Sequence, residues 1–194
     1  MIRICFHGAE STGKSELARR LEARFGYPWV PEYGRAYCEE RGTELDMAGL
    51  LAIAEGQDAA MRAAAASEPP LLILDTDPLM TAAWAEMLFG DVPDRLMRYE
   101  KADLYLLFAP DVPWIEDGTR FFGTGDARAR FAALAEEMLV RANVPFARIS
   151  GNWDEREARV LAAIGALVSG AAVGATRTGR HNSPQLNPPA APSR

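Results

Sequence analysis

Residues 2–21 read IRICFHGAESTGKSELARRL, and this stretch decides the fold. Its first six residues are mostly apolar and run directly into Gly8, which is typical of a buried strand in a parallel sheet. From Ser15 to Arg24, apolar residues recur at helical spacing, with Glu and Arg on the opposite face. Between the two, residues 8–15 match the pattern G-x-x-x-x-G-K-[ST]. The stretch therefore predicts a strand, a phosphate-binding loop (P-loop) and a helix in direct succession.

The residue types of this loop suit the binding of a nucleotide phosphate. Glycines allow successive backbone N–H groups to converge on one anion, and the N-terminus of the following helix adds its dipole. We predict that Lys14 reaches the β- and γ-phosphates of a bound nucleotide and that the Ser15 hydroxyl contacts Mg²⁺. The loop alone does not identify the class of protein, because motors, GTPases, regulatory ATPases and small-molecule kinases share it. The predicted nucleotide-binding residues of the loop are Gly8, Glu10, Ser11, Thr12, Gly13, Lys14 and Ser15.

The rest of the chain alternates between short apolar runs and helical patterns. Further strands are predicted at about 29–33, 71–74, 104–109 and 146–149, and further helices at about 46–66, 78–90, 126–142 and 154–168. This alternation predicts an α/β fold with a parallel sheet and helices on both faces. Residues 1–169 are predicted to form one domain. Residues 170–194, which are rich in Gly, Pro and small polar residues, are predicted to be a disordered tail.

Composition excludes several classes of protein. The chain has 194 residues, and 48% of them are hydrophobic, so we expect a globular protein. Its net charge is −6, so we do not expect it to bind the phosphate backbone of a nucleic acid. Cys5 and Cys38 lie far apart, which argues against a disulfide framework or a zinc site. No apolar run is long enough for a membrane span or a secretion signal, so we expect a cytoplasmic protein without a membrane partner.

Two carboxylates follow the third predicted strand, in the sequence Leu74-Asp75-Thr76-Asp77. Ligands of open α/β sheets collect at the carboxyl ends of the strands, so Asp75 is predicted to bind Mg²⁺ or its water shell. Strand periodicity places Asp77 on the same face, where it could meet an acceptor substrate. Asp77 also precedes Pro78, so it could cap a helix, which would not exclude a functional role.

The second predicted strand ends in Pro31-Glu32-Tyr33-Gly34-Arg35. A carboxylate, a phenol and a guanidinium around a glycine suit a polar, sugar-like acceptor. Glu32 could take the proton of a hydroxyl as that hydroxyl attacks the γ-phosphate. The alternative is an ordinary surface pair of Glu32 and Arg35 at the start of a helix.

Residues 111–120 read DVPWIEDGTR and are followed by further glycines and arginines. This pattern predicts a lid that keeps water from the γ-phosphate and stabilises transition-state charge with Arg120. The alternative is a solvated loop whose arginines pair with acidic residues. Trp84 and Trp114 could stack on a flat ring or belong to the core. Gln57 could face the acceptor or the solvent.

Five segments, GAESTGKS, VPEYGR, DTD, DVPWIEDGTR and SGNWDER, together resemble the NadR-like nicotinamide riboside kinase family. The resemblance extends from about residue 2 to residue 167. It implies a P-loop NTPase fold of the NMP-kinase type, a three-layer sandwich with strand order 2-3-1-4-5. It also implies transfer of the ATP γ-phosphate to the 5′-hydroxyl of nicotinamide riboside, which gives NMP in NAD salvage.

By position, the resemblance assigns the metal and acceptor carboxylates to Asp75 and Asp77, and the lid residues to Asp117 and Arg120. It places Glu32, Tyr33 and Arg35 at the acceptor. Asn152 and Trp153 fall where P-loop kinases border the adenine. The predicted catalytic residues are Lys14, Glu32, Asp75, Asp77 and Arg120; the predicted substrate-binding residues are Glu32, Tyr33, Arg35, Asp77, Trp84 and Asp117; the predicted metal ligands are Ser15 and Asp75.

Multidomain members of that family carry an adenylyltransferase domain, and some a DNA-binding domain, ahead of the kinase. Here the first predicted strand begins at residue 2, so we expect a stand-alone kinase with a small-molecule substrate. Two alternatives stay open: another nucleoside or nucleotide kinase with the same fold, or a regulatory ATP-binding module without catalysis. The sequence does not decide the oligomeric state or which carboxylate is the general base.

Overall fold

Five parallel strands form one sheet in the order β2-β3-β1-β4-β5 in the computed structural model, which describes residues 1–116 and 120–170. Every neighbouring pair is parallel. The strands are β1 (Ile2–His7), β2 (Trp29–Val30), β3 (Leu71–Asp75), β4 (Leu104–Phe108) and β5 (Phe146–Ile149). The α/β class and the strand order 2-3-1-4-5 are therefore confirmed.

Helices cover both faces of this sheet. Over the described residues they are α1 (Lys14–Phe25), α2 (Tyr33–Arg41), α3 (Met47–Ala65), α4 (Pro78–Phe89), α5 (Asp94–Arg98), α6 (Gly125–Arg141) and α7 (Trp153–Val168). Alternate residues of each strand face opposite layers, so β1 places Phe6 against α1 and α7 and Cys5 against α3, α4 and α6. All five residues of β3 and of β4 are buried, as expected for central parallel strands.

The predicted strand at 29–33 is wrong in its extent. Only Trp29 and Val30 belong to β2, because Pro31 has no N–H to donate to the next strand. Glu32 stands at the N-cap of α2, a helix that was indicated only by the alternative interpretation of Glu32 and Arg35, and α5 was missed. The other predicted elements agree with the structure to within about two residues at each end, a normal uncertainty in assigning helix ends.

None of the described helices is both long enough and apolar enough to cross a bilayer. The predicted tail lies almost wholly outside the described residues, which end at Gly170.

Candidate active site

The P-loop curls between β1 and α1, and two of its glycines occupy positions where a side chain would clash. Gly8 has φ +124°, and a Cβ there would lie 2.6 Å from the carbonyl oxygen of Phe108. Gly13 has φ +88°, and a Cβ there would lie 2.5 Å from the ring of Trp153. The loop thus needs glycine for its left-handed backbone and for the close approach of β4 and α7.

Polar side chains within the loop reinforce its curl. The Lys14 ammonium donates to the carbonyl oxygens of Gly8 and Ala9, each at 2.8 Å. The Thr12 hydroxyl donates to the Ala9 carbonyl at 2.8 Å. The single cation of the loop therefore lies against the start of the loop, at the carboxyl end of β1.

Asp75, the last residue of β3, lies beside this loop. The Asp75 side chain is buried and lies close to the Ser15 hydroxyl at the start of α1. Burial raises the pKa of Asp75, while the Lys14 charge and the Ser15 hydroxyl act in the opposite direction. Among the described residues, Asp75 Oδ1 has no hydrogen-bond partner. A carboxylate oxygen without a partner next to a hydroxyl is a donor set that fits Mg²⁺.

Glu32, the N-cap residue of α2, is half-buried. Burial and the nearby Asp75 charge raise its pKa to about 7, although Lys14 and Arg35 act against this shift. A carboxylate with a pKa near neutrality exchanges protons readily at the pH of a cell. Glu32 therefore has the character of a general acid or base.

The P-loop and Glu32 line the same cavity, whose volume is about 1070 Å³. We call one end the donor half; it is lined by residues 8 and 10–15 of the P-loop together with Asp111, Gly151, Asn152 and Trp153. We call the other end the acceptor half; it is lined by residues that include Glu32, Arg35, Gln57, Thr76, Trp84 and Phe121. Such a volume is large enough for two ligands of nucleotide and nucleoside size.

Gln57 of α3 joins the chain segments of the acceptor half, which settles its position. Its side chain is buried, and its Oε1 accepts a hydrogen bond of 2.7 Å from the Tyr33 backbone N–H. Its Nε2 donates to the carbonyl oxygens of Pro31 and Thr76 at 3.3 and 3.4 Å. Gln57 thereby ties the end of β2 to the end of β3.

An aromatic cluster forms the far wall of the acceptor half. The Trp84 ring centroid lies 5.2 Å from that of Phe121, 5.0 Å from that of Phe122 and 4.7 Å from that of Phe131. Trp84, Phe121 and Phe131 line the cavity, and Trp84 is half-buried. The structure thus brings Trp84 to the predicted substrate side, where it presents a flat apolar surface.

The prediction that Asp77 faces the acceptor is wrong. Thr76 has φ +81°, which breaks the strand alternation, so Asp77 turns into the opposite layer from Asp75. There it lies in a buried cluster with Cys5 and His7, accepts a hydrogen bond of 2.5 Å from the Tyr105 hydroxyl and caps α4. Asp77 is therefore a buried structural residue, and the capping alternative was correct.

Tyr33 was also predicted at the acceptor, and the structure places its ring elsewhere. The ring packs on α3 at Gly56, where an added Cβ would lie 2.2 Å from it, and it is absent from the cavity lining formed by the described residues. Because β2 stops early, residue 33 begins a helix instead of extending a strand. Only its backbone N–H takes part, through Gln57.

The predicted lid, residues 111–120 with the glycines and arginines that follow them, reaches the P-loop in its described parts, which are 111–116 and the residues from 120 onward. Arg120 donates to Ser11 Oγ at 3.4 Å and to the carbonyl of Ile115, and its guanidinium lies over the Trp114 ring. Arg128 of α6 donates to the Ser11 carbonyl oxygen at 3.0 Å. Asp117, predicted as a substrate ligand, lies outside the described residues.

Asn152 and Trp153 line the donor half, where the nucleotide is predicted. The Asn152 side chain accepts from the Glu155 backbone N–H at 3.0 Å as the N-cap of α7. The Trp153 ring lies against Gly13, with the Arg20 guanidinium 4.9 Å from its centroid.

Sequence reasoning missed one residue that supports the donor half, Arg156. Its buried guanidinium pairs with Asp111 and donates to the carbonyl oxygens of Thr12, Ala109 and Gly151 at 3.1, 3.0 and 2.7 Å. It therefore connects the P-loop with β4 and α7. The only signal in the sequence is its position within SGNWDER, one turn after the helix cap.

This combination of sheet order, P-loop and flanking carboxylates can be compared with known proteins. The profile of the family described as "AAA domain" matches residues 3–156. The chain belongs to this AAA domain family. Its similarity to NadR-like proteins is also confirmed in curated relatives and in solved structures.

Two curated relatives of this AAA domain chain are trifunctional NAD biosynthesis/regulator proteins NadR. The protein of Escherichia coli (strain K12) is 30% identical over 166 residues, which cover 81% of this chain and 40% of the relative. The protein of Salmonella typhimurium (strain LT2) is 29% identical over 170 residues, with the same shares of 81% and 40%. The chain thus spans about two fifths of the length of these relatives.

Solved structures share the fold of this AAA domain chain. A NadR protein in complex with NR superposes with a TM-score of 0.67 at 21% identity, covering 89% of this chain and 52% of that chain. Deoxyadenosine kinase from M. mycoides has a TM-score of 0.59 at 11% identity, covering 85% of this chain and 100% of that chain. Thymidylate kinase from Ehrlichia chaffeensis has a TM-score of 0.60 at 12% identity, covering 84% and 98%. The fold is that of P-loop nucleoside and nucleotide kinases.

Proposed function

We propose that this protein is an ATP- and Mg²⁺-dependent kinase that transfers the γ-phosphate of ATP to the 5′-hydroxyl of nicotinamide riboside. One observation carries the proposal: the P-loop lysine and Glu32, a carboxylate with a pKa of about 7, line a single cavity. Phosphoryl transfer needs this arrangement of a held phosphate and an activated hydroxyl.

In the donor half, Lys14 and the backbone N–H groups of the loop hold the ATP phosphates. Ser15 and Asp75 would hold Mg²⁺, which would supply positive charge to the triphosphate. Arg120 approaches from the lid and adds positive charge beside Ser11. These positive groups stabilise the negative charge on the transferred phosphoryl group and on the departing ADP.

In the acceptor half, Glu32 takes the proton of the acceptor hydroxyl. The hydroxyl oxygen then forms a bond to the γ-phosphorus while the bond from that phosphorus to the bridging oxygen of ADP breaks. The raised pKa of Glu32 makes it a stronger base than an ordinary carboxylate, and Asp75 is assigned to Mg²⁺. We therefore assign the general base to Glu32.

The choice of nicotinamide riboside rests on two observations. The chain is similar to NadR proteins, one of which was solved in complex with NR. The acceptor half also combines the aromatic wall at Trp84 and Phe121 with a carboxylate, which suits a flat cationic ring.

A deoxynucleoside is the second candidate for the acceptor. The described fold covers the whole of deoxyadenosine kinase, and Arg35 supplies a polar group for a neutral base. A third candidate is a regulatory module that binds ATP without turnover, and the raised pKa of Glu32 inside the cavity argues against it.

A panel of nucleosides separates these candidates. Purified protein is incubated with MgATP and either nicotinamide riboside or one of the common nucleosides and deoxynucleosides, and products are identified by mass spectrometry. We expect NMP from nicotinamide riboside and a kcat/KM at least about tenfold higher than for any other acceptor. A higher value for a deoxynucleoside would favour the second candidate, and nucleotide binding without any product would favour the third.

A further inference from the structure

Glu10 belongs to the P-loop, yet its carboxylate contacts the lid. Its two oxygens accept hydrogen bonds from the Phe121 backbone N–H at 3.3 and 3.2 Å, and one of them also accepts from the Phe122 N–H at 3.2 Å. These N–H groups precede α6, so they make none of the backbone hydrogen bonds of that helix. A single P-loop side chain thus fixes two consecutive residues of the lid.

The adjacent loop residue strengthens this attachment. Ser11 Oγ accepts a 2.8 Å hydrogen bond from the Ile115 backbone N–H, and the Ser11 carbonyl accepts one from Arg128. Residues 10 and 11 therefore contact the lid at several points. Any change in the backbone of the P-loop at these residues moves the groups that hold the lid.

The residues held by Glu10 also form part of the acceptor half. Phe121 lines the cavity, and both Phe121 and Phe122 pack against Trp84. The chain of contacts runs from the nucleotide loop through Glu10 to the backbone of Phe121 and on to the aromatic wall. Because packed aromatic rings and paired backbone groups shift together, the position of the wall depends on the position of Glu10.

We propose that Glu10 is a positioning residue that couples the binding of nucleotide in the donor half to the binding of nucleoside in the acceptor half. The inference deepens the proposed function and rests on it for the identity of the two ligands. Nucleotide bound to the P-loop fixes Glu10, Glu10 fixes Phe121 and Phe122, and these complete the wall that receives the nucleoside. Thermodynamic linkage requires the coupling to act equally in both directions.

The contact itself is tested by hydrogen exchange of the Phe121 and Phe122 amides, with no ligand required. In Glu10→Ala both amides lose their acceptor, and we expect their exchange to accelerate at least about tenfold. Glu10→Gln keeps one carbonyl oxygen and should fall between the wild type and Glu10→Ala. Glu137→Ala, which removes an exposed glutamate of α6, is the matched control and should leave the exchange unchanged. Equal exchange in wild type and Glu10→Ala would overturn the proposal.

The coupling is tested by isothermal titration of nicotinamide riboside into protein with and without saturating MgAMP-PNP. In the wild type we expect the nucleotide analogue to tighten nucleoside binding by about 5- to 150-fold. In Glu10→Ala this factor should fall to within about twofold of one, whatever the change in the Kd of the nucleotide alone. A residue that merely shaped the phosphate loop would instead weaken nucleotide binding and leave the factor intact. That result would also overturn the proposal.

The two arms keep this inference separate from the proposed function. If the wild type binds no nicotinamide riboside, the proposed acceptor is wrong, and the titration is repeated with the best acceptor of the nucleoside panel. Unchanged amide exchange in Glu10→Ala rejects the coupling whichever nucleoside binds.

Discussion

The donor and acceptor halves of one cavity are built in different ways. The core of the donor half is eight consecutive residues, 8–15, which form the loop after β1 and the start of α1, and its shape comes from glycine backbone and from hydrogen bonds inside the loop. The acceptor half is assembled from β2, α2, α3, β3, α4 and the lid, which meet only in the folded chain. The comparison teaches that a site made of backbone can be predicted from its motif, whereas a site made of side chains on several elements depends on where each element ends.

The substitution Lys14→Ala tests the donor half and should have the largest effect. Loss of the only P-loop cation removes charge compensation for the phosphates, so we expect kcat/KM to fall by about 10⁴-fold. Lys101→Ala is the matched control, since Lys101, the other lysine of the chain, contacts the Met97 and Tyr99 carbonyls and is absent from the described cavity lining. Steady-state kinetics measures both variants. Comparable losses of kcat/KM in the two would show that Lys14 has no specific role in catalysis.

Glu32→Gln tests the acceptor half and should lower kcat by about 10³-fold, because the amide cannot take a proton. Glu39→Gln, at an exposed position of the same helix, is the control and should keep wild-type kcat.

The same residue sets the pH dependence of the reaction. Glu32 must be deprotonated to act as the base, so wild-type kcat/KM should decrease as the pH falls through about 7. The residual activity of Glu32→Gln should lack this acidic limb. If the acidic limb persists unchanged in the variant, another group titrates, and that group and not Glu32 is the general base.

Arg120→Ala tests the lid where it meets the donor half. Arg120 lies beside Ser11, where it adds to the charge around the transferring phosphate, so we expect kcat to fall by about 10²-fold with a smaller rise in KM. Arg130→Ala, an exposed arginine of α6, serves as control. A rise in KM with unchanged kcat would show that Arg120 only helps to bind substrate.

Asp77→Asn tests whether Asp77 lies outside the acceptor half, and it should have the smallest effect on turnover. Because Asp77 accepts from Tyr105 and from the start of α4, we expect a loss of about 1 kcal/mol in the free energy of unfolding. The kcat should stay within about threefold of wild type. Urea denaturation and kinetics measure the two quantities, and Tyr105→Phe should give a similar loss of stability. A drop in kcat as large as that of Glu32→Gln would show that Asp77 takes part in catalysis.

Much of the fold could be predicted from the sequence, because buried strands, glycine stops and helical periodicity are local signals. The Gly8–Ser15 motif fixes its own backbone, and Asp75 ends a buried strand next to it. Asp77 and Tyr33 were misplaced for a local reason that the pattern does not reveal: a left-handed residue at Thr76 and an early end of β2 at Pro31. Arg156 and Gln57 act on segments more than a dozen residues away, and only the tertiary structure shows those contacts.

The central claim is that a phosphate held by the P-loop passes directly to an alcohol activated across the cavity. A single-turnover reaction of excess enzyme with MgATP and nicotinamide riboside, followed by ³¹P NMR, tests it. The account predicts that the γ-phosphate signal is replaced by that of a phosphate monoester on the nucleoside, in step with the appearance of ADP. Formation of inorganic phosphate in place of the monoester would contradict it, because water would then be the acceptor.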